Sequence, residues 1–368
     1  VYSNKLYRKH LNKRGDTQNI MLGFSDGTKD GGYLTANWSI LKAKESLTKV
    51  SRKFGIKVIF FDGRGGPPAR GGGNTHQFYS SLGDFIESEE IQLTVQGQTI
   101  SSNFGTIKSS QYNMEQLISS GIKNRILSNS EIFNKGNRKT IEKLSLISYN
   151  CYKDFKNHPS FIPYLEKMST IKYYSKTNIG SRPTKRGEKG EEFNFDKLRA
   201  IPFVGSWNQL KQNVPGFYGL GTSINYFYKK NNIKDVRLLY QEVPFFRALI
   251  SNSMMSLTKS FFELTSYMSK DDEFGEFWKI IHNEYTLTKK MLLEISDFKE
   301  LMENEPANKL SIETRENIVM PLVTIQQYAL QIVKEIESGY IKGFNKSVFE
   351  KIITRSLYGN INASRNSA

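Results

Sequence analysis

The chain has 368 residues, of which 38% are hydrophobic, so it can bury a substantial core and wholesale disorder is excluded. Its formal net charge of +16 comes from 52 Lys and Arg residues mingled with 36 acidic residues, with no long block of one sign. This balance is compatible with a nucleic-acid-binding protein, with a protein that attracts small anions, or with a protein that is simply rich in lysine.

Neither a membrane span nor a disulfide framework is predicted. The longest uncharged stretches, Ile91–Ile107 and Ile318–Val333, are interrupted by polar residues and fall short of the roughly 18 apolar residues that a span needs. Residues Val1 to Arg14 are basic and polar and lack the apolar core of a signal peptide, so the start is interpreted as a cut into a longer chain. Cys151 is the single cysteine, which fits a reducing cytoplasm.

Three short apolar runs predict buried strands at Asn19–Phe24, Lys57–Phe61 and Ile91–Val95. Half of the 28 glycines lie in this region, mostly just after the runs. A helix is predicted over Leu34–Phe54, between the first two strands. Its apolar residues at helical spacing are Leu41, Ala43, Leu47 and Val50. Strand, helix and strand in this order predict a parallel α/β fold, in which functional residues follow the carboxyl ends of the strands.

From about Asn113 the pattern becomes helical. A loop rich in Gly, Arg and Lys at Asn178–Asp196 and a further strand or buried segment at Ala200–Val204 interrupt it. The predicted helices are Met114–Leu127, Arg138–Phe155, Asp235–Ser269, Glu273–Ile295, Ile312–Glu337 and Asn345–Leu357. We therefore divide the chain into an α/β region, residues 1–230, and a helical region, residues 231–368, within one continuous domain.

The first candidate site is the glycine-rich segment Gly23–Gly32, directly after the first predicted strand. Asp26 and Lys29 lie three residues apart there, on what we interpret as a tight loop. The segment is not an EF-hand, because Asn37 stands where the bidentate Glu is needed, and it is not a P-loop. Asp26 could hold a hard cation and Lys29 an anion beside it, with a solvated turn as the alternative.

The second candidate site is Phe61–Gly73, which follows the second predicted strand. Its glycines let the backbone approach a ligand, its two prolines stiffen the loop, and Arg64 and Arg70 are suited to a bidentate grip on phosphate or carboxylate. An RNA-binding Arg-Gly tract has a similar composition. Because such tracts are usually long and lie in disordered regions, an ordered anion-binding loop is favoured here.

The third candidate site contains Arg182 in Gly180–Arg186 and Arg199 in Leu198–Phe203. Alone, this basic loop would be interpreted as a solvated surface. Beside the first two sites, it indicates convergence on one multiply charged anion. The four histidines are scattered without metal-ligand spacing, and no nucleophile elbow is present.

These clusters, in this order and spacing, resemble the C-terminal part of phosphoenolpyruvate carboxylase. The motifs that carry the resemblance over essentially the whole chain are Ser25–Gly32, Gly63–Gly72, Gly180–Arg186, Leu198–Phe203, Ser206–Gln209, Val243–Phe246 and the terminal Arg365-Asn366. The resemblance implies a strongly helix-rich α/β fold. In it, this chain supplies the later strands of a (β/α)8-type barrel and a large helical C-terminal region.

The resemblance also implies a reaction, a cofactor and partners. In this family bicarbonate attacks the phosphate of phosphoenolpyruvate, and the resulting enolate takes CO2 from carboxyphosphate to form oxaloacetate and phosphate. The cofactor is Mg²⁺ or Mn²⁺, and the enzyme is usually a cytoplasmic homotetramer. Neither nucleic acid nor a membrane is expected as a partner. The basic surplus then serves anionic reactants and products.

Transferred by motif position, Asp26 would be a metal ligand and Lys29 a cation beside bicarbonate. Arg64 and Arg199 would hold phosphate, and Arg182 would support the same pocket.

Arg70, on a mobile glycine loop, would close over the reactants and exclude water from the enolate. An inhibitor site for aspartate or malate would contain Lys259, Arg315 and Asn366, and would draw Arg70 away from the reactants. The alternative for Lys259 and Arg315 is an ordinary solvated charge on a helix.

Two departures from the family pattern stand out. Asp62 occupies the position before Gly63 where most members have histidine, although a bacterial branch carries Asp there with the same Pro-Pro-Ala-Arg loop. The N-terminal motifs of the family, including a catalytic histidine in Thr-Ala-His-Pro and the glutamate partner of the metal-binding aspartate, are not found in this sequence. A non-catalytic fragment that needs an N-terminal half is therefore an alternative, and half a barrel should expose apolar strand edges.

Overall fold

The computed structural model describes residues 1–95, 97–126, 133–174 and 195–364. Three parallel strands form one sheet in the order β1 (Thr17–Gly23), β2 (Lys57–Gly63) and β3 (Ile91–Leu93). This confirms the three predicted strands and their parallel pairing. The described residues form no closed eight-stranded barrel, so the barrel stays a prediction.

The register places the ends of β1 and β2 side by side. Thr17 pairs with Lys57 at one end, and Gly23 pairs with Gly63 at the other. The segments that follow the two strands therefore start at the same edge of the sheet, where parallel α/β folds carry their functional residues.

The rest of the first half of the described chain is mainly helical. Its helices are α1 (Lys5–Lys13), α2 (Phe24–Gly31), α3 (Tyr33–Lys53), α4 (Thr75–Ser80), α5 (Gln98–Phe104), α6 (Ile107–Ile126), α7 (Lys135–Lys156), α8 (Phe161–Met168) and α9 (Ile171–Tyr174). Asn4, Asn74 and Asn134 cap α1, α4 and α7 through their side-chain oxygens, which satisfies backbone N–H groups that the first helical turn leaves free.

The second half of the described chain is helical. Its α-helices are α10 (Ala200–Gln209), α11 (Leu220–Lys229), α12 (Ile233–Glu242), α13 (Pro244–Thr258), α14 (Gly275–Ser296), α15 (Pro306–Glu337) and α16 (Lys346–Ser364). Short 3₁₀ helices occur at Pro68–Arg70, Val214–Gly216 and Phe262–Lys270.

One predicted element is confirmed only in its buried alternative, and a second is wrong. Ala200–Val204, predicted as a strand or buried segment, is buried but forms the start of α10, because its apolar residues continue at helical spacing to the buried Trp207. The single helix predicted at Asp235–Ser269 is divided among α12, α13 and a 3₁₀ helix. Pro244 has no N–H to continue α12, and it starts α13 at the first helical position instead.

One large buried cluster contains side chains from both predicted regions, including Trp38 and Phe60 near the sheet and Leu249 and Ile281 from the later helices. The division at residue 230 stays a prediction. On β1 the apolar side chain of Met21 is 64% exposed. None of the helices that the structure describes combines the length and apolar character of a membrane span.

Candidate functional site

The segment that carries Asp26 and Lys29 is helical, which corrects the predicted tight loop. It forms α2, which buries Phe24 and Lys29 and leaves Asp26 exposed in its first turn. A carboxylate there is stabilised by the positive end of the helix dipole. Gly32 ends the helix with φ of 81°, a conformation that favours glycine.

Lys29 is a buried cation with an unusual set of neighbours. Its Nζ lies 2.7 Å from Asp30 Oδ1, 3.5 Å from the Phe195 carbonyl oxygen and 4.4 Å from the centre of the Phe195 ring. Lys156 Nζ lies over the same ring, and its pKa is lowered mainly by burial and further by Lys29. Asp30 lies against Lys29 and also raises the Lys156 pKa, so one carboxylate offsets part of the charge of these two amines.

Arg64 follows β2 directly and is buried. Its guanidinium lies over the rings of Phe78 and Tyr79, at 4.5 and 5.1 Å from the ring centres. Its Nε donates to the Gly71 carbonyl and its Nη2 to the Gly72 carbonyl. Nη1 is buried and finds no hydrogen-bond partner among the described residues. A buried guanidinium N–H without a partner is costly, so Nη1 is available to donate to an anionic ligand.

The glycines of the second cluster are required by close packing. A Cβ on Gly72 would lie 1.8 Å from the Gly66 carbonyl oxygen, and one on Gly65 would lie 2.7 Å from the Arg70 guanidinium carbon. Gly71 has φ of 80°, and a Cβ there would overlap Phe24. The loop therefore folds back on itself in a way that larger residues would prevent.

Arg70 ends the 3₁₀ helix of this loop and is 2% exposed. Burial lowers its pKa to about 10, and the nearby Tyr174 and Asp26 partly offset that effect. The predicted metal ligand Asp26 and the predicted closing residue Arg70 are thus close enough to interact. The mobility predicted for Arg70 stays a prediction.

Arg199 stands at the amino end of α10. This helix packs against both α2 and the Pro68–Arg70 turn, so it brings Arg199 to the elements that carry the first two clusters. Arg199 Nε is buried without a hydrogen-bond partner in the described ranges. Asp26, Lys29, Arg64, Arg70 and Arg199 therefore lie on segments that meet at one edge of the sheet. Arg182 lies outside the described residues.

Asp62, the residue that departs from the family pattern, is fully buried. Its Oδ2 accepts from Lys44 Nζ and from the Tyr79 hydroxyl, each at 2.6 Å. The Lys44 pKa is lowered by burial, an effect that Asp62 opposes. Sequence reasoning missed Lys44 and Tyr79. The available signal was the register of α3, in which Lys44 follows the buried Leu41 by three residues.

Asp26 is suited to a hard cation, since a carboxylate oxygen is the ligand type that Mg²⁺ and Mn²⁺ prefer. The described residues contain no group of three or more acidic, histidine or cysteine side chains that could enclose a metal. Mg²⁺ is often held by one or two carboxylates together with substrate oxygens and water. Asp26 fits that open type of site as one ligand.

A small pocket lies between α13 and α15. Lys259 and Arg315, the two described members of the predicted inhibitor site, both line it, together with the buried Lys211. The Lys259 pKa is lowered to about 8, chiefly by burial and then by the positive charges of Lys211 and Arg315. Lys211 was not predicted. Asn366, the remaining predicted member, lies outside the described residues, although Ser364 reaches the pocket.

The glycine loop approaches this pocket. Lys259 also lines a neighbouring pocket whose other wall contains Pro67, Pro68 and Ala69, the residues just before Arg70. Asn208 of α10 lines both pockets. The two predicted sites are therefore connected through packed residues.

The family model described as phosphoenolpyruvate carboxylase matches residues 1–363 of the chain. The match covers all three candidate clusters and the helices that form the Lys259 pocket.

Proposed function

The chain belongs to the phosphoenolpyruvate carboxylase family, and we propose that its cluster of buried cations binds phosphoenolpyruvate and bicarbonate for the formation of oxaloacetate and phosphate. The observation that carries the residue assignment is Arg64. Its guanidinium is fixed by two aromatic rings and two loop carbonyls, and Nη1 has no partner among the described residues. A phosphate oxygen would complete that set.

In the proposed arrangement, Arg64 and Arg199 hold the phosphate group, with Arg182 supporting the same pocket. Lys29 places a positive charge beside bicarbonate. Because phosphoryl transfer to bicarbonate brings two anions together, fixed cations lower the electrostatic barrier to their approach. They also stabilise the negative charge that develops on the enolate as the phosphate leaves.

Asp26 would hold Mg²⁺ or Mn²⁺, which supplies Lewis-acid stabilisation of negative charge on the substrate oxygens. Arg70 lies close to Asp26 and on the glycine loop, so it would shield the reactants from water. Exclusion of water matters here because a proton from solvent would convert the enolate to pyruvate before it meets CO2.

We further propose that Lys259, Arg315 and Asn366 bind a dicarboxylate inhibitor such as aspartate or malate. The support is the joint lining of one pocket by Lys259 and Arg315, in which the charge of Lys211 is paired with Glu316. The Pro67–Ala69 segment, which directly precedes Arg70, lines the neighbouring pocket with Lys259. A ligand bound at Lys259 would therefore affect the position of Arg70 through this segment. A homotetramer in the cytoplasm remains the proposal for the assembled enzyme.

Nucleic-acid binding is the less favoured alternative. The basic residues that the three clusters contribute include the buried side chains of Lys29, Arg64 and Arg70, which a polyanion cannot reach without a change in conformation. A nucleic-acid binder would instead present exposed cations and bind with strong salt dependence.

The test is oxaloacetate production from phosphoenolpyruvate, bicarbonate and Mg²⁺, coupled to malate dehydrogenase. Arg64→Ala should abolish activity, whereas Arg52→Ala removes an exposed arginine paired with Glu87 and should leave activity unchanged. If the chain alone is inactive, co-expression with a segment that carries the Thr-Ala-His-Pro motif should restore activity. Failure of both forms would contradict the proposed activity for this copy.

A further inference from the structure

A buried polar unit of three side chains lies behind Arg64. Lys44 on α3 is 1% exposed and Asp62 on β2 is fully buried, and Asp62 Oδ2 also accepts a hydrogen bond from Tyr79 on α4. The unit thus ties three separate elements to one carboxylate oxygen. A buried ion pair is weak evidence for stability alone, since an apolar replacement often stabilises a protein equally well. The presence of this buried ion pair therefore needs an explanation other than stability.

The unit is placed to orient Arg64. The guanidinium lies over the ring of Tyr79, 5.1 Å from its centre, and the Arg64 backbone N–H donates to the Asp62 carbonyl. The hydroxyl of that same Tyr79 is fixed by Asp62. Through this bond the Lys44–Asp62 pair sets the position of the ring on which the guanidinium rests.

Asp62 faces the helices and not the end of the strands. Side chains alternate along a strand, so Asp62 shares its face with the buried Val58 and Phe60, and Lys44 Nζ lies over the Phe60 ring as well. The second carboxylate oxygen, Oδ1, is buried without a hydrogen-bond partner among the described residues. A carboxylate enclosed in this way is not accessible to a reactant.

We propose that Lys44, Asp62 and Tyr79 form a positioning unit that fixes Arg64 in its phosphate-binding orientation, and that Asp62 exchanges no proton with the reactants. The inference rests on the proposed function, because it assigns the unit to the phosphate site of that reaction. It identifies Lys44 and Tyr79 as positioning residues and explains how an aspartate serves at this place without acid–base chemistry.

The experiment uses Tyr79→Phe, which keeps the ring but removes the hydroxyl bond, and Asp62→Asn, which keeps the shape but removes the charge. Two quantities are measured: KM for phosphoenolpyruvate against KM for bicarbonate, and the affinity for inorganic phosphate by calorimetry. In each variant we expect KM for phosphoenolpyruvate to rise and phosphate affinity to fall by about tenfold, equivalent to about 1.4 kcal/mol. KM for bicarbonate and the pH profile of kcat should stay unchanged.

Lys42→Met is the matched control. Lys42 lies on the same helix but pairs with Glu142 at the surface, so its loss should change neither KM nor phosphate affinity. Unchanged KM and phosphate affinity in both test variants would overturn the proposal in favour of a purely structural unit. A shifted pH profile in Asp62→Asn would overturn it in favour of proton transfer by Asp62.

Phosphate affinity needs no turnover, so the positioning role is tested even if this chain lacks activity by itself. A wild-type chain that neither forms oxaloacetate nor binds phosphate would contradict the proposed function. A wild-type chain that binds phosphate with the same affinity as both test variants would contradict the positioning role alone.

Discussion

Lys211 Nζ lies 2.7 Å from Glu316 Oε2, and this ion pair forms part of the pocket that also contains Lys259 and Arg315. Glu316 is the only acidic side chain among the described residues that line the pocket, and Lys211 engages both of its oxygens. Three cationic side chains and one carboxylate therefore line the pocket among the described residues, so its lining is positive on balance.

The charges that line this pocket predict an anion site whose affinity depends on pH. The pKa of Lys259 is lowered to about 8, chiefly by burial and then by its positive neighbours. Below that pH the amine is charged and, in the proposed inhibitor site, would bind a dicarboxylate, whereas above it the amine loses its proton. The affinity for malate should thus be nearly constant up to pH 8 and then fall by up to about tenfold per pH unit.

Calorimetric titration with malate between pH 7 and 9.5 measures this dependence. Lys259→Arg should extend strong binding to higher pH, because arginine stays charged. Lys259→Gln should bind weakly at every pH. The same steep decline in Lys259→Gln as in the wild type would show that another group titrates and would refute the assignment to Lys259.

The Lys44–Asp62 pair predicts a specific pattern of stability. Lys44→Met leaves a buried carboxylate without its counter-charge and should lower the free energy of unfolding by about 3–5 kcal/mol. The double variant Lys44→Met/Asp62→Leu removes both charges and should recover most of that loss. Urea unfolding measures both.

Lys42→Met is the reference, because it breaks an exposed ion pair on the same helix. Its free energy of unfolding should fall by only about 0–1 kcal/mol. If the losses in the free energy of unfolding caused by the two substitutions simply add in the double variant, Lys44 and Asp62 do not act as a pair.

The position of Lys44 also shows where sequence reasoning reached its limit. The apolar residues Leu41, Leu47 and Val50 predicted the helix, and α3 confirms it within one residue at each end. The buried face, however, contains Leu41, Lys44, Thr48 and Ser51, while Val50 is exposed. Periodicity identifies the type of an element, but a lysine in the buried register is recognised only when its partner carboxylate on another element is known.

Contacts between distant elements also explain the other differences between the predicted and the observed structure. Ala200–Val204 is too short for its period to separate a strand from a buried helix, and only the packing of Trp207 decides. Asp26 and Lys29 were predicted from a motif and not from propensity, so their chemistry could be proposed while their helical backbone was missed. Lys211 could not be predicted, because its partner Glu316 is 105 residues away in the sequence.

The tight packing of the glycine loop predicts a large effect of one methyl group. In Gly72→Ala the new Cβ would meet the Gly66 carbonyl oxygen at 1.8 Å, and backbone atoms cannot rotate away as a side chain can. The loop must shift, and the Gly71 and Gly72 carbonyls that hold Arg64 shift with it. We expect kcat/KM for phosphoenolpyruvate to fall by about 100-fold.

Gly121→Ala is the control for this change. Gly121 lies within α6, where the nearest atom to a new Cβ is 3.9 Å away, so activity should stay unchanged and helix stability should rise by about 0.5–1 kcal/mol. Coupled-assay kinetics and circular dichroism of both variants make the comparison. Wild-type kinetics in Gly72→Ala would mean that the loop does not hold Arg64 in the active conformation.

A buried carboxylate outside the candidate site predicts how stability changes with pH. Glu284 on α14 accepts from the Gly219 and Thr222 N–H groups and from the Thr222 and Thr288 hydroxyls, and so it caps the start of α11. Burial raises its pKa above the ordinary 4.5, although these hydrogen bonds oppose the shift. The folded state therefore binds the proton more tightly than the unfolded state does.

Protonation of Glu284 therefore favours the folded state. The contribution of the protonated carboxyl to stability is complete below pH 4.5 and is lost as the pH rises through the raised pKa. Glu284→Gln keeps an oxygen for the two N–H groups but cannot titrate, so it should gain stability relative to the wild type between pH 4.5 and 7.5. Glu284→Ala leaves those donors unpaired and should lose about 1–3 kcal/mol throughout.

Urea unfolding of the three proteins at pH 4.5, 6 and 7.5 tests this expectation. Glu276→Gln, on the same helix but exposed, should run parallel to the wild type at all three values. A Glu284→Gln curve that is also parallel to the wild type would mean that Glu284 has the same pKa folded and unfolded. The hydrogen bonds at the start of α11 would then offset the cost of burying the charge completely.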